Sequence, residues 1–125
     1  MGIASDDYIS IKQEADRRRR RFAEAVREVE AEIAKALSSG IRLELTGTEY
    51  LCFADGTKSN VPLRHRYRVY EIVGEMFFRS KKEWTHVELE LNSDLSARVI
   101  VFSKPVQDPL LVAKMERIIR TVFSN

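Results

Sequence analysis

The chain is short of the residues on which catalysis, metal binding and cross-linking most often rely. Its 125 residues include one cysteine and two histidines. A lone Cys52 cannot form an intrachain disulfide, and its place in the apolar run YLCF reads as a small buried thiol rather than a nucleophile. His65 and His86 stand in no HxxxH or HExxH arrangement, and CxxC and EF-hand spacings are missing, so a metal has no ligand set. The five glycines are scattered and form neither GxGxxG nor a Walker A loop. GxSxG is absent as well. No catalytic residue and no cofactor are therefore assigned, and an enzyme is not expected. Nothing approaches the ~18 consecutive apolar residues of a membrane span. The N-terminal MGIASDDYIS lacks the basic and apolar regions of a signal peptide, and Asp6 stands where a myristoylation signal needs Ser or Thr. These shortages point to a cytoplasmic protein without a membrane partner.

What is present is a soluble globular balance, with 44% hydrophobic and 32% charged residues. The length suits a single domain over residues 1–125, large enough to bury roughly two thirds of its unfolded surface. No internal repeat or linker interrupts it. Residues 6–38 predict one long amphipathic helix, with Tyr8, Ile11, Ala15, Phe22, Val26, Val29, Ile33 and Leu37 recurring at steps of three and four. Ser5 or Ser10 supplies its cap, and Gly40 after Ser38-Ser39 ends it with a residue that tolerates left-handed geometry. Arg18 breaks the stripe, either snorkelling or lying where the helix has passed the core.

Ile41, Leu43 and Leu45 alternate with polar residues as a half-buried strand. Thr46-Gly47-Thr48 reads as a turn, with a returning strand from Glu49 to Ala54 and a further turn at Asp55-Gly56. Residues 61–82 fit two templates. A helix would use Asn60 as cap, Pro62 in its first turn, and a stripe through Leu63, Tyr67, Tyr70, Val73, Met76 and Phe77. A hairpin across Gly74-Glu75 would use the β-branched and aromatic content. The helical stripe persists over five turns while the alternation slips after Val69, so the helix is preferred. A second hairpin is plain: Val87, Leu89 and Leu91, the turn Asn92–Ser96, then the β-branched Ala97–Ser103. Pro105 stops it, and Asp108-Pro109 opens a last helix with Leu111, Met115, Ile118 and Val122 on its stripe. The expected fold is α+β in the order α-β-β-α-β-β-α, an antiparallel sheet packed against a long N-terminal helix and a C-terminal helix.

Charge is segregated along the chain. Residues 64–82 hold Arg64, Arg66, Arg68, Arg79, Lys81 and Lys82 against Glu71 and Glu75, while residues 83–96 hold Glu83, Glu88, Glu90 and Asp94 and no Lys or Arg. Such asymmetry suits a surface that meets a charged partner. The run Arg17 to Arg21 spans every face of a helix, because each residue advances about 100°. Arg17 shares a face only with Arg20 and Arg21. Intrahelical partners are at hand, Glu14 for Arg18, Asp16 for Arg20 and Glu24 for Arg20. Nucleic acid is disfavoured, since a net charge of +2 is small and no aromatics interleave the arginines. Arg64, Arg66 and Arg68 would align on one side of a strand but scatter around a helix. Glu88 and Glu90 share one exposed face, which with Arg42 and Glu44 makes a charged sheet surface, covered by a helix or open to a partner.

The stretch 84–103, WTHVELELNSDLSARVIVFS, resembles the late hairpin of YezG-like bacterial immunity proteins, where a Trp-led strand, an Asp-containing turn and a second strand follow a helix rich in aromatics and charges. Residues 66–82 would match that helix. The arginine-rich first helix and the basic balance depart from that pattern. The element order also resembles small type III secretion chaperones, which bind effectors and are commonly acidic dimers. Both resemblances imply a protein that binds and masks another protein, here a cognate toxin or an effector. The contact residues expected for it are Arg17, Arg20, Arg21, Glu88 and Glu90. A homodimer stays open, because the heptad-like first helix is first needed to cover the sheet. A third reading, a metal-independent ribonuclease, would draw on His86 beside Thr85 and on His65 between Arg64 and Arg66.

Overall fold

The chain runs through six elements in the computed structural model, which describes residues 5–37, 40–103 and 108–123. They are α1 (Ser5–Leu37), β1 (Ile41–Cys52), β2 (Lys58–Val73), β3 (Ser80–Leu91), β4 (Ala97–Phe102) and α2 (Pro109–Phe123). The four strands form one antiparallel sheet in the order β1-β2-β3-β4, so each strand pairs with its neighbour in sequence. Expectations for the Tyr8 side chain, for Ser38-Ser39 and for Pro105 fall outside the described residues.

Both helices lie on one face of the sheet because both carry an apolar stripe at helical spacing. From α1, Ala15, Phe22, Ala25, Val29 and Ile33 are buried; from α2, Val112, Met115, Ile119, Val122 and Phe123. They meet Ile41, Tyr67, Val69, Val87, Leu89, Leu91 and Ala97, which alternate along the strands as a one-sided sheet requires. Full burial of each such Leu, Ile, Val or Phe is worth roughly 1.5–3 kcal/mol. Asp108, at φ 48°, turns the chain into α2 and accepts the Val112 N–H at 3.0 Å.

The preferred helix over residues 61–82 is not formed. Residues 58–73 are β2, residues 74–79 a tight turn, and residues 80–91 are β3. The reason lies in where the core stops. From Val61 to Val69 every second residue of β2 turns inward, all buried except the half-buried Leu63; beyond it the β2–β3 hairpin runs past both helices and no residue of β2 is fully buried. The alternation slips there because there is no inside, and the slip imitated a helical stripe. Pro62 sits at a register shift, where Tyr50 pairs with Pro62 after Glu49 pairs with Arg64, a place where a missing N–H is tolerated.

The turn expected at Thr46-Gly47-Thr48 is also absent. β1 runs on from Ile41 to Cys52 and absorbs Thr46 as a bulge between the Leu45–Tyr67 and Gly47–Arg66 pairs. The Thr46 hydroxyl donates to the Arg66 carbonyl at 3.1 Å. The hairpin reverses instead at Asp55-Gly56, where Gly56 has φ 87° and Asp55 accepts from both the Thr57 N–H and hydroxyl. Ser10 lies inside α1 rather than capping it, and Gly40 has no left-handed φ. Cys52, expected to be buried, is exposed, because the outer end of β1 extends beyond the helices.

Candidate functional site

Antiparallel register decides what the charge-rich strands do with their side chains. With the odd-numbered residues of β2 turned to the helices, Arg64, Arg66 and Arg68 fall together on the opposite face. Directly across from them on β3 stand Glu90, Glu88 and His86. One row crosses the whole sheet as Glu49, Arg64, Glu90 and Arg98. In it Arg64 Nη1 lies 3.5 Å from Glu49 and Arg64 Nε 3.6 Å from Glu90, while Arg98 holds Glu90 Oε2 at 2.9 and 2.7 Å. A second row has Arg66 3.9 Å from Glu88. In a third, Glu44 accepts from Arg68 and, at 2.7 Å, from Lys81. Two carboxyls are held below the ordinary carboxylate range, Glu90 chiefly by the Arg98 hydrogen bond and Glu44 chiefly by that of Lys81.

The cationic and acidic stretches of the sequence thus meet in the cross-strand pairs Arg64–Glu90 and Arg66–Glu88, while Arg68 and Lys81 turn to Glu44 of β1. Antiparallel neighbours bring opposite charges into register, and each pair adds a few tenths to about 1 kcal/mol. No helix packs on this face among the described residues, and Arg66 and Arg98 keep 62% and 65% of their side chains exposed. The expected charged sheet surface exists, and it is open.

The arginine run on α1 is divided among distinct tasks. Arg18, at 6% exposure, turns into the protein at the end of the sheet. Its guanidinium donates to the carbonyls of Pro62 (3.3 Å), Leu91 (3.2 Å) and Asn92 (3.3 Å), and Nε pairs with Glu14 at 3.0 Å. Arg21 donates to the Leu95 carbonyl at 3.2 Å, and Arg19 to Asp16 and to the Asn60 carbonyl. Arg17 pairs with Glu14, whereas Asp16 serves Arg19 rather than Arg20. Arg17 and Arg20 face solvent. Since α1 lies on the helix-covered side, the sheet separates Arg17, Arg20 and Arg21 from Glu88 and Glu90, and the five expected contact residues do not form one site.

The two histidines are separated in the same way. His86 lies on the open face, 2.8 Å from Glu83. His65 lies under α1, stacked on Phe22 at 3.9 Å between ring centroids, with Nδ1 2.7 Å from the Tyr67 hydroxyl. Burial and then the nearby Arg19 push its pKa down to about 4, and burial raises that of Tyr67, so the pair is neutral. A groove of about 370 Å³ opens beside them between α1 and β1, walled by Phe22, Val26, Leu43, Leu45 and Tyr50. An acid–base pair of His65 and His86 is not assembled. Among the described residues, no group of three or more His, Cys, Asp or Glu could hold a metal ion.

Sequence reasoning missed one feature. The turn between β2 and β3 carries Met76, Phe77 and Phe78 at 76%, 87% and 86% exposure. Reading these residues as a helical stripe hid them, although MFF beside Gly74 was a signal that a hairpin template would have placed at its tip. No family model matches the chain, and neither a curated protein nor a solved structure matches it.

Proposed function

We propose that the chain is a cytoplasmic, immunity-type protein that binds the toxic domain of a cognate bacterial effector and masks its active site. The observation that supports this reading is the uncovered face of the sheet. There Arg66 and Arg98 stand into solvent beside Glu88 and Glu90, held in place by cross-strand pairing. Fixed charges of both signs on a rigid sheet favour fast, selective association with a complementary surface, since ordering them costs little on binding. Glu88 belongs to that surface, whereas Glu90, expected there too, is only 8% exposed because Arg64 and Arg98 pair with it and cover it. Arg17, Arg20 and Arg21 form a second, separable patch on α1.

The test is co-expression with the C-terminal domain of a toxin encoded next to this gene. Rescue of growth and a stable complex are expected. Arg66→Glu with Arg98→Glu should weaken the complex by roughly tenfold or more, while Arg17→Ala with Arg20→Ala reports the contribution of the helix patch. Absence of both rescue and complex would sink the proposal. A stable homodimer that carries an effector with a secretion signal would favour the chaperone reading instead.

A further inference from the structure

The helix layer is narrower than the sheet it covers. Ile41 at the start of β1 is buried, yet farther along the same helix-facing side Leu45 and Tyr50 are exposed. Between this bare stretch of β1 and α1 lies the groove of about 370 Å³. Two hydrogen bonds fix how its walls run. At one end the Glu30 carboxylate of α1 accepts the Leu43 N–H at 3.1 Å; at the other Arg19 donates to the Asn60 carbonyl at 3.1 Å. The groove is therefore apolar toward Glu30, where Val26, Leu43 and Leu45 line it, and polar toward Arg19, where Thr48 and His65 line it.

The polar end presents hydrogen-bond donors. His65 is buried to all but 8% of its surface, held by the Phe22 stack and by the contact of Nδ1 with the Tyr67 hydroxyl. Tyr67 has no other hydrogen-bond partner among the described residues, so its O–H is satisfied by donating to Nδ1. The neutral ring then carries its proton on Nε2. That Nε2–H has no partner among the described residues and is not sealed from the groove. A donor so deep in the protein calls for an acceptor. Thr48, directly across from His65 on β1, brings its hydroxyl to the same level. Arg19 is the one charged residue among those lining the groove, and its charge is felt at His65, although Asp16 holds Nη1 at 2.9 Å.

From this polarity we infer that the groove is a binding site for a small aromatic or branched aliphatic monocarboxylate. Its carboxylate is received by the His65 Nε2–H, the Thr48 hydroxyl and Arg19, and its apolar body lies against Val26, Leu43 and Leu45. The volume falls within the range of small-molecule sites, whose walls are mostly apolar with a few convergent polar groups. Reversed entry would set the carboxylate toward Glu30, so one orientation is selected. An amine would meet a donor and a cation, with no carboxylate among the lining residues. None of the described helices is long and apolar enough to cross a membrane, so the wall that α1 gives the groove is not the face of a membrane-spanning helix. The site lies across the sheet from Arg66 and Glu88 and is independent of the toxin-binding reading.

Titration of the whole chain with 3-phenylpropionate, followed by NMR of the His65 ring and of the Val26, Leu43 and Leu45 methyl groups, tests it. The acid should shift both sets of signals and saturate with a Kd of about 1 mM or tighter. Uncharged 3-phenylpropionamide should bind roughly tenfold more weakly. Leu45→Trp, at an exposed position, should fill the groove and lower the affinity for the acid by roughly tenfold or more at an unchanged thermal midpoint. His65→Phe, which keeps a ring on Phe22, and Thr48→Val, which keeps the side-chain shape, should each weaken the acid more than the amide. If no shift appears in the millimolar range, if the amide binds as well as the acid, or if Leu45→Trp leaves acid binding unchanged, the inference is wrong.

Discussion

Arg18 is the residue whose role reverses most between sequence and structure. In the sequence it interrupts an apolar stripe; in the fold its guanidinium satisfies three backbone carbonyls where β2 begins and β3 ends. A buried cation is tolerable only because Glu14 and these carbonyls replace its water. Arg18→Ala should therefore cost about 3–5 kcal/mol, read as a lower urea midpoint, because it removes the cation and orphans its acceptors. Arg17→Ala, which breaks only an exposed pair with Glu14, should stay within about 1 kcal/mol. The stripe identified Arg18 as exceptional, but no local rule names the carbonyls it serves, since they lie 44, 73 and 74 residues away in the chain.

At the scale of elements, the misread region is the hairpin of β2 and β3. Residues with strong strand propensity, Val69, Tyr70, Ile72 and Val73, outweighed a helical stripe that was a coincidence of spacing. Gly74 carried the local signal, since its left-handed φ is required by the turn. Gly74→Ala should strain the backbone and push against the Phe78 carbonyl, at a cost of roughly 1–3 kcal/mol confined to the turn. Faster amide exchange at Phe78, with strands β1 and β4 unaffected, is the expected signature. The β1 misreading has a similar cause. A Gly between two threonines signals a break in regular pairing, and whether the break is a turn or a bulge depends on a partner strand long enough to pair with both sides.

For the whole molecule, the titrating groups set how stability responds to acid. The folded pKa of His65, about 4, lies below its ordinary 6.5, so the unfolded chain takes up that proton first as the pH falls. Its contribution is complete above pH 6.5, declines toward pH 4 and changes no further below. Glu44 and Glu90 have folded values lowered from 4.5, so their contribution is present above that pH and is lost as the pH drops through their folded values. Urea midpoints should therefore fall from pH 6.5 to 4 as His65 is lost as a contributor, and fall further below 4.5 as Glu44 and Glu90 protonate. His65→Gln should remove the first slope and leave the second. A flat profile in the parent between pH 6.5 and 4 would contradict the buried, neutral His65.

The α+β class, both flanking helices, the last hairpin and the shortage of catalytic groups were legible from periodicity and composition, which are local and survive without knowledge of neighbours. How the charges are used was left to tertiary packing. Arg64, Arg66 and Arg68 became partners of Glu90, Glu88 and Glu44 through strand register, which depends on residues far apart in the chain. The same register put His65 and His86 on opposite faces and left an apolar hairpin tip beyond the core. An isolated segment cannot specify these outcomes, since what a side chain faces is set by the strand or helix that packs beside it.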